Sequence, residues 1–457
     1  MSILIMIVGI LLTIFIVIGS HEASHFFAAR LSGIKVLRFS IGFGKTLWKR
    51  KDRSGTEYIF ALIPLGGYVQ MLDEREGNVA SNECHLAFNR QPFYKKCIVI
   101  LAGPLSNILL AFILYWLIFF IGFTSVKPII GEISPHSIAE QAGLKPKQEI
   151  VAIDDERIKT WNGVVLRIIA HAGNQDQLKI ETKKACFSQK PCPSSTETKI
   201  LRLTNWHLDG LMPDPLKSLG LTPYQPPIPL IVGFIKKDSP ADIAHLQLGD
   251  KIIRINQTPV KNWESLINFV LAHPDTDVKI QVLRNNKPTT IALTIGSEHN
   301  LFLQKSGYLG IGPNFTWPKE LLQENQYDSI DSISHAYKAI IDFTRFNIVI
   351  FGKMLTGKLS LQSLGGPIMI FESAGSALNA GIMPFLGFLA FLSISIGIIN
   401  LLPIPGLDGG HLFIHVIELI IGKPLPENLL LLLFRLGFIF LFLILMQALV
   451  NDILRLS

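Results

Sequence analysis

Residues 3 to 20 form an apolar run whose only polar side chains are Thr13 and Ser20, and the run leads straight into the stretch "HEASH", His21 to His25. As a helix such a run covers roughly 27 Å, close to the hydrocarbon thickness of a bilayer. His21, Glu22 and His25 therefore fall in the membrane or just beneath it. Ionisable groups at that depth cost on the order of 3 kcal/mol each and face a cavity with a partner. On a helix, positions i and i+4 share one face, so the two imidazoles can converge on one zinc ion at about 2.0–2.1 Å. Glu22 then occupies the position of a general base beside a water acidified by the metal. Isolated core or surface histidines would leave three costly groups in need of separate explanations.

The remaining chain fits a membrane protein with a soluble part. Its 457 residues are 49% hydrophobic, with a mean hydropathy of +0.39. The net charge of +7 is local, because eight of the 42 basic residues and one of the 35 acidic ones lie between Arg30 and Arg53, leaving 34 of each elsewhere. Such a cluster beside a span marks the cytoplasmic side and suits anionic lipid headgroups, and nothing further supports nucleic acid as a partner. A cleaved signal peptide would carry Lys or Arg before a shorter apolar run, so an uncleaved span with its N-terminus outside is expected. Further spans are expected at 97–124, about 382–407 and 428–450. This arrangement places residues 125 to about 380 outside, the connections 30–96 and 408–427 inside, and the C-terminus outside.

The outer region contains a repeat displaced by 102 positions, with residues 129–161 matching 231–263. Ser137 pairs with Ser239, Ala139 with Ala241, Ile153 with Ile255 and Trp161 with Trp263. Each copy reads strand, short helix, strand, helix, then alternating strands such as "VKIQVLR" at 278–284. The pattern resembles the PDZ domain, and the second copy matches better because the first has Gln148 where the second has Asp250. From Ser332 to Leu359, apolar residues at spacings of three and four predict a helix, lying on the membrane surface or packed on the outer domain.

A catalytic zinc needs a third protein ligand, and "NLLPIPGLDGGH" at 400–411 offers one. Pro403 and Pro405 stop a regular helix, while Gly406, Gly409 and Gly410 permit a tight turn, so Asp408 can point from irregular backbone into a cavity. By residue type, His411 is a rival ligand.

"HEASH" on a first span, "FSIGFG" at 39–44, "IPLGGYV" at 63–69, the tandem repeats, "LGGPI" at 364–368 and "NLLPIPGLDGGH" together resemble the site-2 proteases over nearly the whole chain. The resemblance implies an intramembrane zinc metalloprotease with zinc (Zn2+) held by His21, His25 and Asp408, and with Glu22 as base. It also implies that Asn400 binds the substrate backbone or stabilises the oxyanion, leaving His411 outside the ligand set. Residues 56–72 would form a membrane-associated hairpin whose edge receives an unwound substrate segment. The implied partners are membrane lipids and single-span proteins such as an anti-sigma factor already trimmed outside, together with signal-peptide remnants. The implied location is a bacterial inner membrane, with the PDZ-like pair in the periplasm.

The expected fold class is thus a polytopic α-helical membrane protein with four transmembrane helices, a membrane-associated β-hairpin and two tandem PDZ-like α+β domains. The expected segments are 1–29, 97–124, 381–411 and 426–457 for the spans with their motifs and tail, and 30–96 for the cytoplasmic loop. Residues 125–220 and 221–315 hold the two PDZ-like domains, and 316–380 an amphipathic helical region. Gly103, Pro104 and Asn107 in the second span read as close helix packing with a kink. Cys84 and Cys97 are expected as free thiols, whereas the outer compartment permits a Cys186–Cys192 bridge. A non-enzymatic receptor that binds C-termini is the rival reading, and it predicts a silent Glu22→Gln.

Overall fold

The computed structural model describes residues 3–456 apart from 76, 78, 173–175, 188–194, 205, 207, 209–213, 300–304 and 358. Among the described residues, four helices are long and apolar enough to cross a membrane: Leu4–Leu31, Phe93–Ile121, Ile382–Asn400 and Glu427–Arg455. They make the chain a polytopic membrane protein. The first winds wider over Ile14–Ile18, a π-helical stretch that ends three residues before His21. The second packs along both the first and the third, burying Ala111, Leu114, Leu389 and Ile394 in one apolar core.

After the first span the chain forms two long bent strands, Val36–Lys51 and Glu57–Met71. Their ladder shifts register repeatedly, so that Ser40 pairs with both Ile59 and Tyr68 while Arg50 pairs with Tyr58. The two strands thereby build a sheet of four segments, with 67–71 at one edge and 46–51 at the other. The reading of 56–72 as a complete hairpin is therefore corrected, because this segment is only the second arm. The turn is Asp52 to Thr56, where Thr56 and Asp52 bond through their backbones at 2.9 Å and Gly55 takes φ +86°. Gly66 and Gly67 lie inside the second strand rather than at its turn.

The outer region is inserted between two paired strands, Phe123–Val126 and Leu322–Asn325, so that chain entry and exit are stitched together beside the second span. Two units of like construction lie between them. In the first, the sheet order is Glu156–Arg157, Gln148–Ile153, Gln177–Lys184, Thr196–Arg202. In the second it is Thr258–Pro259, Lys251–Ile255, Asp277–Arg284, Lys287–Thr294. Helices Trp161–Ala170 and Trp263–Ala272 are displaced by the same 102 positions as the sequence repeat. Each unit closes with a strand returning onto its first one, Leu221–Pro223 on Ile130–Ile133 and Ile311–Pro313 on Val232–Ile235. The first unit thus runs past the boundary expected at 220. Asp250 and Gln148 do the same local work, accepting the backbone N–H of Gln247 and of Lys145, each at 2.9 Å.

Helix Ser329–Leu355 joins the outer units to the spans. Ala336 and Ile340 are buried among the spanning helices, with Phe343 stacked on Tyr115 at 5.6 Å. Further along, Ile350 and Met354 pack on the first unit's core, while Ile333, Tyr337, Ile341 and Ile348 of the same helix are exposed. Cys84 and Cys97 are free thiols and Cys186 is disulfide-bonded, while Cys192 lies outside the described residues.

Candidate active site

The third span stops at Asn400, and a turn at 401–407 leads into a separate helix, Asp408–Ile421. Asp408 is therefore the first residue of a helix and not part of irregular backbone. The turn is tight for the reason its composition indicates. Gly406 takes φ +102°, and a Cβ on Gly409 would meet the Leu401 carbonyl at 2.4 Å. This fold-back aims Asp408 at the first span.

His21 Nε2 lies 3.2 Å from Asp408 Oδ2, His25 Nε2 3.3 Å from the same oxygen, and the two Nε2 atoms 3.2 Å from each other. His21, Glu22 and His25 are all buried. The ring tautomers follow from the outer contacts. His25 Nδ1 faces the Val99 carbonyl at 2.7 Å, which can only accept, so Nδ1 carries the proton and Nε2 presents a lone pair. His21 Nδ1 is 3.3 Å from the Asn107 amide, whose Oδ1 is buried without a partner. Turned by half a rotation, a change of the same shape, that amide lets Oδ1 accept Nδ1–H and leaves His21 Nε2 a lone pair as well.

Three lone-pair atoms thus face one another across a small triangle, and Asp408 Oδ2 is buried without a hydrogen-bond partner. A metal cation held between them would relieve that arrangement. The size fits zinc, since tetrahedral bonds of about 2.0 Å separate neighbouring ligands by about 3.3 Å. Among the described residues, these three are the group that could hold a metal.

The sequence profile of peptidase family M50 matches residues 9–444. The chain belongs to that family. It is 37% identical over 450 residues to the regulator of sigma-E protease RseP of Salmonella typhimurium, covering 98% of this chain and 97% of that one. Against the RseP of Escherichia coli K12 the identity is 36% over 451 residues, with the same coverage of both chains. A Haemophilus influenzae regulator of sigma E protease is 36% identical over 447 residues, 98% of each chain. As a member of M50, the protein is a zinc metalloprotease that works within the membrane.

In this M50 chain Glu22 stands one residue from His21 and against the hairpin sheet, since a Cβ on Gly67 would come within 2.7 Å of its Cγ. Asn400 ends the third span, half-buried. His411 does not join the metal-binding group and instead packs its ring against Phe434 at 4.9 Å. The second span contributes residues for which the sequence reading preferred close packing, with Asn107 also able to line a water path. A Cβ on Gly103 would lie 2.2 Å from His25 Nε2, so any side chain there would displace a histidine. Val99, Gly103 and Asn107 recur every four residues, which puts a carbonyl, a gap and an amide on the face turned to the histidines. That spacing was the available signal.

Proposed function

We propose that His21, His25 and Asp408 hold the zinc, with Glu22 as general base and Asn400 binding the substrate backbone or the developing oxyanion. Zinc bound there would polarise a scissile carbonyl and lower the pKa of a water. Glu22, as general base, would accept a proton from the attacking water and return it to the departing amine. The triangle of unprotonated ligand atoms with the buried, unpaired Asp408 oxygen is the observation that carries this reading.

The sheet edge at 67–71 receives the substrate as an added strand, so that a helical segment is opened and its peptide bonds lie against Glu22. The closeness of Gly67 to Glu22 supports this. The hairpin is membrane-associated, as its exposed Phe43, Leu47, Leu62 and Ile63 suggest. The two outer units act as PDZ-like filters that turn away substrates with large outer domains. By relationship to the sigma-E regulators, the substrates are single-span proteins of anti-sigma type and signal-peptide remnants. The basic cluster at 30–53 puts the site near the cytoplasmic face of an inner membrane, with both termini and the outer units in the periplasm.

The test is cleavage of a single-span substrate by the purified protein and by Glu22→Gln, with zinc measured in both. The reading expects the variant to keep its zinc and to cut slower by about a thousandfold. Equal cleavage by both would remove Glu22 from the chemistry and favour a receptor.

A further inference from the structure

A cleft of about 510 Å³ opens on the hairpin sheet, lined at one end by Arg50, Lys51 and Arg53 and along its floor by Phe39, Trp48 and Tyr58. The three cations are exposed and make no ion pair or hydrogen bond among the described residues. Neighbouring bases are by contrast engaged, Lys49 and Arg38 with Glu57 and Arg30 with Asp52. Asp52, the acid at the rim, is satisfied by Arg30 and by the Thr56 N–H at 2.9 Å. Positive charge is left concentrated at one end of an aromatic trough.

Its depth in the molecule is set by the first span. Phe26 packs on Phe39 at 5.5 Å and on Tyr58 at 5.8 Å, and the Arg30 guanidinium lies over the Phe26 ring at 4.5 Å. Eight residues of helix separate Glu22 from Arg30, about 12 Å along the axis. By the membrane placement proposed above, the cleft sits where the span leaves the hydrocarbon, at the level of headgroups, with the Trp48 and Phe60 rings 5.6 Å apart and tilted by 47° along it. Arg and Lys at that level match a phosphodiester, and an aromatic trough matches the upper part of an acyl chain.

We propose that this cleft is a binding site for one anionic phospholipid, with its phosphodiester held by Arg50, Lys51 and Arg53 and its chain laid along Trp48 and Tyr58. The proposal rests on the membrane placement of the hairpin given above. A lipid held there would fix the sheet whose opposite edge, 67–71, lies beside Glu22.

The test uses fluorescence of Trp48, taken as the difference between the protein and its Trp48→Phe variant. The full chain is placed in phosphatidylcholine vesicles carrying equal amounts of chain-brominated phosphatidylglycerol or chain-brominated phosphatidylcholine. Preferential quenching by the brominated phosphatidylglycerol is expected, each cation favouring the anionic lipid by about fivefold. The preference should vanish in Arg50→Gln/Lys51→Gln/Arg53→Gln and persist in Lys45→Gln. Equal quenching by the two lipids, a preference that survives the triple substitution, or its abolition by inorganic phosphate at constant ionic strength would overturn the proposal, the last by marking a free-anion site. The readout needs no cleavage, so the lipid site and the peptidase reading can fail independently.

Discussion

Gly103 and Asn107 show how a spanning helix can shape a candidate metal site without offering a ligand atom to it. Gly103 leaves the space that the His25 ring occupies, and Asn107 fixes the direction in which the His21 ring presents its lone pair. Such outer contacts tune affinity, so Asn107→Ala is expected to weaken zinc binding by about 10–100-fold in a chelator competition while leaving the fold intact. Unchanged affinity would mean that the amide merely fills space. The convergence of His21 and His25 was legible from spacing alone, because a period of four on a helix is local information. Asp408 needed the family resemblance. The role of Gly103 and Asn107 was not legible, since it depends on which helix lies opposite across some 80 residues of chain, and in an apolar span both residues also suit simple packing.

At the scale of elements, the bent hairpin brings its edge segment against Glu22. Gly67 has no room for a side chain, with Ser40 O and Glu22 Cγ each 2.7 Å from where a Cβ would be. Gly67→Val is expected to abolish cleavage with zinc content unchanged, which a comparison of turnover with metal analysis would reveal, and a fully active variant would place the substrate elsewhere. The hairpin's turn is made by the Asp52 to Gly55 stretch, upstream of the segment 56–72 in which the sequence reading placed the whole hairpin. Helix Asp408–Ile421 was missed for a related reason, its apolar residues having been divided between a span and a loop. The "LGGPI" glycines also gain an explanation. Gly366 N–H donates to Asp452 at 2.8 Å and Ile368 N–H at 2.9 Å, so the last span caps helix Pro367–Ala380.

In the second outer unit, the Asp250 carboxylate is 1% exposed and pairs with Arg284 at 2.7 Å. Burial pushes its carboxyl up, but the Arg284 guanidinium and the Gln247 N–H outweigh burial and hold it below the usual range. Protonation then favours the unfolded chain, so this stabilisation is full above the ordinary carboxylate pKa of about 4 and fades as pH falls through the folded-state value. Asp250→Asn is expected to destabilise the unit by about 2 kcal/mol at neutral pH, and by progressively less in acid. Thermal unfolding followed at several pH values checks this, and a deficit independent of pH would contradict it.

Across the whole molecule, residues from remote parts of the chain meet at one point. The first span brings two imidazoles and a carboxylate, the second a gap and an amide, and the helix that follows the third an aspartate. The two repeat units are set apart from that point by the paired strands at their entry and exit. The four spans and the 102-residue repeat were readable because apolar length and internal similarity survive without knowledge of contacts. How the helices pack was not, since spans that are apolar all round do not record which face meets which neighbour. The central claim is that His21, His25 and Asp408 form one zinc site, and zinc analysis of the purified chain tests it most directly. About one zinc per chain is expected in the unaltered protein and in Glu22→Gln, with loss in both His21→Ala and Asp408→Ala. Full zinc in either of the last two variants would contradict the account.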